Sequence, residues 1–529
     1  MHIHSRLRSL SPQSLGGIVR GIEKEGLRAR PDGSLARTPH PAGLGSALTH
    51  PHITTDFSES QLELITGVHT RAQHCEDELV AIHQAVYREL GDELVWAASM
   101  PCRLPHDERD IPLGHYGISN VGRSKTVYRN GLSHRYGRRM QTISGIHYNF
   151  SLPQGAWPEL QAGDGRGGSI DGYRNAAYFA LIRNFRRHSW LLLYLFGASP
   201  AVATSFVDGR SHALQALSDD TLYLPDATSL RMGPLGYQSD AQSALAVSYN
   251  SLAGYAGSLH RALTEPYPAY EAIGIGGGDN YRQLATTLLQ IENEFYGTIR
   301  PKRRIRPGER PLHALGERGV EYVEVRCMDI DPFEPVGIGA ATMRLLDVFL
   351  LHCLLADSPP DSPREIAELL RNQHLMADRG REPGLRLLRD GEAITPGEWG
   401  AMLLTQCAPI AEALDAAQGG AGHRDALDAA ARALRDPAML PSARVLAAMR
   451  EWHANRFIDF GLARSIEHRR TLEARPVVEG EAGRLAALAR SSIAEQAAIE
   501  AADTMPFETY RLRYLAQPLI DGEQFRLPA

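Results

Sequence analysis

The sequence predicts an α+β fold whose last third is mainly helical, and three observations carry that prediction. Short strand-like runs bear ionisable side chains at period two. Longer segments repeat apolar residues at three- and four-residue spacing, and beyond residue 400 the chain is rich in the helix formers Ala, Leu, Arg and Glu. The chain has 529 residues, 43% hydrophobic and 22% charged, a globular composition that excludes a disordered, collagen-like or coiled-coil protein. At roughly 100–200 residues per domain, such a length holds two to four domains or one large core with additions. The stretch 357–363 (DSPPDSP) is the best boundary. It would divide a mixed α+β part, 1–356, from a helical part, 357–529, expected to pack on the same core.

Helical periodicity is clear at 77–90, where Leu79, Ile82, Val86 and Leu90 recur, and again at 176–196, 340–356, 363–372 and 480–503. The longest uncharged stretch, 190–207, is interrupted by Gly197 and Pro200. A membrane span needs about 20 mostly apolar residues, so a buried helix ending at the Gly-Ala-Ser-Pro turn is expected there. The first residues lack an apolar segment of signal-peptide length. Five cysteines (Cys75, Cys102, Cys327, Cys353, Cys407) lie far apart with no Cys-x-x-Cys pair. Neither a thiolate metal site nor a disulfide framework is expected, and a cytoplasmic protein without a membrane segment is.

The strands carry the chemistry. In VRGIEKEGLR (19–28), Glu23 and Glu25 are two apart, and a strand turns alternate side chains to one face. In TTDFSESQLELIT (54–66), Asp56 precedes a turn and Glu63 sits between leucines. In SGIHYNFSL (144–152), His147, Asn149 and Ser151 alternate with Ile146, Tyr148 and Phe150. In VEYVEVRCM (320–328), Tyr322, Glu324 and Arg326 alternate with Val323 and Val325. An antiparallel sheet with one wet face explains such alternation without any chemistry. These faces, however, offer five carboxylates, one His and one Arg with little Lys between, and carboxylates on one face repel unless a divalent cation relieves them. Oxygen-rich, thiolate-free ligands suit Mg²⁺, the single His adding tolerance for Mn²⁺. Such a surface with an Arg resembles a phosphoryl-transfer site.

A cationic counterpart lies in two segments read as loops. Residues 120–140 carry +6 and residues 300–310 carry +5, so a net charge of −6 conceals −17 on the remainder. The first, with Tyr128 and Tyr136 interleaved, could bind RNA or cradle a nucleotide triphosphate; the acidic strands favour the triphosphate. Walker A, G-x-S-x-G and H-E-x-x-H motifs are absent, and GIGGG (274–278) fails the dinucleotide spacing because Asp279 stands where a glycine is needed. His50-x-His52, beside Pro51, reads as a loop feature.

Eight ordered blocks resemble the bacterial (type 1) glutamate–cysteine ligase family, also called γ-glutamylcysteine synthetase. They are RGIEKEGLR, LGSALTHPHITTDFSESQLELIT, YGISNVGRSKTVYRNGL, MQTISGIHYNFSLP, LFGASPA, YLPDATSLRMGPLGY, QIENEFYGTIRPKR and EYVEVRCMDIDPFEP. The likeness continues weakly to EAADTMPF; the Gly-rich 163–168 stretch and the tail from about Tyr510 depart from it.

The resemblance implies a glutamine-synthetase-like fold, a curved, largely antiparallel sheet forming a funnel with helices outside. It implies metal ligands at Glu23, Glu25, Asp56, Glu63, His147 and Glu324, and arginines near the transferring phosphoryl group at Arg231 and Arg326. It also implies a cysteine pocket of Tyr128, Leu132, Gln141, Arg231, Tyr237 and Tyr296, with Arg326 near a substrate carboxylate and Lys125, Arg129 and Lys302 as nucleotide contacts. The implied reaction joins L-glutamate, through its γ-carboxylate, to the α-amine of L-cysteine with Mg²⁺–ATP, through γ-glutamyl phosphate, opening glutathione biosynthesis. The general base stays unassigned between a site carboxylate such as Glu63 and the phosphate itself. A monomer with no obligate protein partner, no nucleic acid and no membrane is expected. The competing readings are a ligase of the same fold using another amine, and an RNA-binding protein using the 120–140 segment.

Overall fold

The computed structural model describes residues 2–236, 240–243 and 245–518. Seven strands build the main sheet: β1 (Val19–Ala29), β2 (Ile53–Thr55), β3 (Gln61–Ile65), β4 (Leu94–Val95), β5 (Ile146–Ser151), β6 (Ile299–Lys302) and β7 (Tyr322–Met328). Their order is β2-β3-β1-β5-β7-β6, with β4 pairing the end of β1, and every pairing is antiparallel. The fold is the expected α+β one, and all four ionisable runs lie in this sheet.

Register decides what the alternation means. Glu25 pairs with Glu63 across β1 and β3, Glu23 with His147 across β1 and β5, and Glu324 with both Asn149 and Arg300 across β5, β7 and β6. Side chains that are far apart in sequence become neighbours on one pleated face. A register break between Val325 and Met328 ends the clean alternation of β7 just after Arg326.

The other face is dry. Ile22, Tyr148, Phe150, Val323 and Val325 are buried there, in one hydrophobic cluster with α1 (Ala72–Glu89). The cationic segment 120–140 begins as α2 (Asn120–Tyr136), capped by the Ser119 side chain, and not as a loop. Its Gly122 has no room for a side chain, because a Cβ would collide with the Tyr116 carbonyl. Residues 176–196, expected to form one helix, divide at Ser189 into α3 (Ile170–His188) and a short helix Trp190–Phe196. The Ser189 hydroxyl turns back to the Arg186 carbonyl at 3.4 Å, an arrangement that bends helices.

Downstream, α4 (Ala340–Leu355) is buried along almost its whole length. Leu403, Ile410 and Leu414 of Pro396–Gln418 and Leu427 and Leu434 of Gly422–Arg435 join the same cluster, so the C-terminal helices share the core of the sheet. The last described helix, α5 (Phe507–Leu515), lies apart from that core, with Phe507 packed among Val127, Tyr281 and Leu284. No described helix is long and apolar enough to cross a membrane.

Two cations break the expected pattern by pointing into the dry face. Arg20 forms a buried ion pair with Asp347 of α4 at 2.9 Å, and the Tyr148 hydroxyl donates to the same carboxylate at 2.6 Å. Lys24, between the two site glutamates of β1, lies 2.7 Å from Nε2 of His83, and burial pulls its ammonium down to about 7.

Candidate active site

The wet face opens on a cavity of about 380 Å³. Of the six expected metal ligands, Glu23, Asp56, Glu63, His147 and Glu324 line it. Glu25 lies behind, where its carboxylate accepts the Gly145 N–H at 2.7 Å and approaches His147 Nε2 at 3.4 Å. The other ring nitrogen of His147 is 3.2 Å from Glu23 and 4.0 Å from Glu324, so one imidazole touches three of the carboxylates. Asn149, noted in the alternation but given no role, donates to Glu23 at 2.9 Å and fixes its rotamer.

The charges are distributed unevenly along the face. At the β7 end, Glu324 has Lys302 Nζ at 2.9 Å and Arg326 Nη1 at 3.2 Å. Burial pushes Glu324 up, but Lys302, Arg326, His147 and Arg300 outweigh it and hold the carboxyl well below the usual range. At the β3 end the balance reverses. Burial, then Glu23, Asp56 and Glu25, hold Glu63 well above the usual range, with only Arg129 opposing among the principal contributors. Glu25 is raised as well, by burial first and then by Asp56, against His147, Arg231 and Arg326. Glu23, Glu63 and His147 each offer a ligand atom, all within 4.8 Å of one another. Crowded carboxylate oxygens, one imidazole and no thiolate fit a hard divalent cation, whose charge would relieve the repulsion that raises Glu63.

The cationic side is built on α2. Lys125 and Arg129, one turn apart, both lie over the Tyr116 ring, at 5.1 and 4.5 Å from its centroid. Arg129 also donates to the Asp56 carbonyl. Burial and the neighbouring Arg129 pull Lys125 down to about 8. The remaining cations of this segment have internal partners: Arg135 pairs with buried Glu294 at 2.8 Å, and Arg138 donates to the Arg109 and Ile111 carbonyls. Much of the charge of this segment is thus paired within the fold. The second cationic segment was read as a loop, but its start is the edge strand β6. Pro301 is tolerated there because an edge strand need not donate on both sides.

The expected cysteine-pocket residues Tyr128, Leu132, Gln141 and Tyr296 line the same cavity, as do Lys125, Arg129, Lys302 and Arg326. Gln141 Nε2 donates to the Tyr296 hydroxyl at 3.0 Å. Arg231 lines an adjoining cavity of about 230 Å³ that shares Tyr296 and Arg326 with the first. It donates to the Arg326 carbonyl at 2.8 Å and lies 3.7 Å from Asp329. Tyr237 lies outside the described residues. Sequence reasoning missed Tyr116, Asp329 and Glu294. Asp329 follows the register break of β7, where period two no longer applies, and nothing local marks the other two.

The family model for glutamate–cysteine ligase matches residues 6–376. The chain belongs to the glutamate–cysteine ligase family. The glutamate–cysteine ligase of Pseudomonas putida (strain W619) is 50% identical over 501 residues, covering 95% of each chain. That of Alcanivorax borkumensis is 47% identical over 517 residues, 97% of this chain and 98% of its own. Among solved structures, the glutamate–cysteine ligase of Francisella tularensis in complex with AMP superposes with a TM-score of 0.88 at 36% identity, covering 94% of this chain and 97% of that one. A bifunctional glutathione synthetase from Pasteurella multocida gives 0.71 at 26% identity over 90% of this chain and 55% of its own. The glutamate–cysteine ligases align with this chain well past residue 376, so the helical C-terminal third belongs to the family likeness too.

Proposed function

We propose that this cavity joins the γ-carboxylate of L-glutamate to the α-amine of L-cysteine at the expense of ATP, through γ-glutamyl phosphate. The observation that carries the reading is the juxtaposition, on one sheet face, of five carboxylates and a histidine with Lys302, Arg326, Lys125 and Arg129. An acidic set suits divalent cations and a cationic set suits phosphates, and a phosphoryl-transfer site needs both. The adenine nucleotide bound by the Francisella relative supports ATP as the phosphoryl donor.

Glu23, Glu25, Asp56, Glu63, His147 and Glu324 would hold Mg²⁺, which when bound neutralises phosphate oxygens and polarises the transferring group. Lys302 and Arg326 face that group from β6 and β7. They stabilise the charge that spreads over its oxygens as the glutamate γ-carboxylate attacks the terminal phosphorus and the bridging bond to ADP breaks. Activation is required because a free carboxylate is a poor electrophile. The cysteine amine then attacks the acyl carbon, the C–O bond to phosphate breaks, and the ammonium proton leaves with the departing phosphate. Tyr128, Leu132, Gln141 and Tyr296 shape the acceptor pocket, and the Gln141–Tyr296 hydrogen bond fixes the hydroxyl that faces it. One chain supplies all these groups, which supports a monomer as the unit of activity.

Glutamate labelled with ¹⁸O in the γ-carboxylate tests the route. One labelled oxygen per turnover is expected in the released phosphate. Phosphate free of label would exclude acyl phosphate formation.

A further inference from the structure

Gly145 stands immediately before β5 in a backbone conformation open to any residue, so something other than the main chain requires a glycine there. A Cβ at this position would collide with the Nη2, Cζ and Nε atoms of the Arg231 guanidinium. The glycine cannot simply step aside, because β1 fixes its backbone. Its N–H donates to the Glu25 carboxylate at 2.7 Å, and its carbonyl accepts the Glu25 N–H at 3.0 Å. One bare peptide thus touches both an expected metal ligand and an arginine of the adjoining cavity.

The same guanidinium is held at two further points. Nη2 donates to the Arg326 carbonyl at 2.8 Å, and Nη1 lies 3.7 Å from the Asp329 carboxylate. Asp329 is buried and is also bound to the turn that carries Arg231. It accepts the Ser229 hydroxyl at 3.0 Å and the Ala198 N–H at 2.9 Å. Those two segments are joined in turn, since the Leu230 N–H donates to the Ser199 carbonyl at 2.7 Å. Asp329 therefore fixes the backbone beneath Arg231 as well as the charge at its tip.

Arg231 and Arg326 both line the cavity of about 230 Å³ beside the main one. A long arginine side chain loses rotamer freedom when its planar fork meets a carboxylate, and one already ordered by the fold binds without that loss. We propose that Gly145 and Asp329 are positioning residues for the amine acceptor, together setting the Arg231 guanidinium to take the acceptor's carboxylate. The proposal rests on the reading above, in which the acceptor is cysteine and Arg231 belongs to its pocket. Gly145 acts by leaving room, and Asp329 by holding the charge and the turn.

Steady-state kinetics in cysteine, run as a double-mutant cycle on the full chain, tests the proposal. Gly145→Ala and Asp329→Asn should each lower kcat/KM for cysteine roughly 10- to 100-fold, the worth of a hydrogen bond to a charged group. The loss should appear in the KM for cysteine, with the KM values for glutamate and ATP unmoved. Asparagine keeps an acceptor for the Ala198 N–H, and the Ser229 hydroxyl can turn to accept, so the turn itself is retained. In an Arg231→Ala background neither substitution should lower kcat/KM by more than about twofold, because the group they act through is gone. For any variant too slow to time, cysteine binding by titration calorimetry, with glutamate and Mg²⁺–ADP present, gives the same cycle. Losses that persist in full in the Arg231→Ala background would overturn the inference, as would single variants that use cysteine as the parent does. An Arg231→Ala variant with unchanged cysteine kinetics would instead overturn the placement of Arg231 in the acceptor pocket, and the inference with it.

Discussion

Glu63→Gln should make the metal-free protein more stable and the working enzyme worse. Glu63 shares the β3 end of the face with Glu23, Glu25 and Asp56, and burial together with those three neighbours holds its carboxyl well above the usual range. Ligand atoms of Glu23 and Glu63 lie within 4.8 Å, where two unit negative charges repel by about 3.5 kcal/mol at an effective dielectric near 20. Glutamine keeps the shape and removes the charge. The sign follows from proton linkage. A carboxyl raised in the folded state binds its proton more tightly there than in the unfolded chain. Its contribution is therefore full below the unfolded value, about 4.3, and is lost as pH rises through the folded one. In EDTA, the variant's gain over the parent should thus be smaller at pH 5 and larger, up to about 3 kcal/mol, at pH 8.5. Mg²⁺ should reverse the order by stabilising the parent through binding. Urea denaturation at both pH values, with EDTA and with Mg²⁺, measures all four stabilities. A variant less stable than the parent in EDTA at pH 8.5, or one that gains as much from Mg²⁺, would refute the reasoning.

Glu324→Gln should leave the protein folded and abolish turnover by removing a carboxylate that Lys302 and Arg326 hold ionised; full activity across a Mg²⁺ titration would contradict that role. Tyr296→Phe removes the acceptor of the Gln141 hydrogen bond and should raise the KM for cysteine by roughly two- to tenfold, the worth of one such bond, with the KM for glutamate unmoved. Equal changes in both constants would count against an acceptor-side role. Arg135→Met leaves the fully buried Glu294 carboxylate without its ion partner and should cost about 3–5 kcal/mol in urea denaturation. A loss below about 1 kcal/mol would mean that the Tyr136 and Gln290 donors to Glu294 suffice.

The wet face was legible because period two is a local property: Glu23, Glu25, His147 and Glu324 can be placed on one side of their strands without knowing what pairs with what. The partners of Arg20 and Lys24 were not. Asp347 lies 327 positions from Arg20 and His83 lies 59 from Lys24, so no window along the chain could show that these cations turn into the core. Segment 120–140 was misread as a loop because its helix α2 has no apolar stripe, and its long cationic side chains reach carbonyls and rings that only the fold supplies. The register break of β7 hid Asp329 for a related reason. The last described helix carried no signal of its own beyond the spacing of Phe507, Tyr510 and Tyr514, which acquires meaning only when α5 is seen against the cavity.

The central claim is that this face couples ATP cleavage to the joining of glutamate and cysteine. ADP release followed continuously with both amino acids present, and with each omitted in turn, tests it most directly. Rapid ADP release is expected only with glutamate and cysteine together, in step with γ-glutamylcysteine formed. ADP release indifferent to cysteine, or no faster with cysteine than with a panel of other amines, would contradict it.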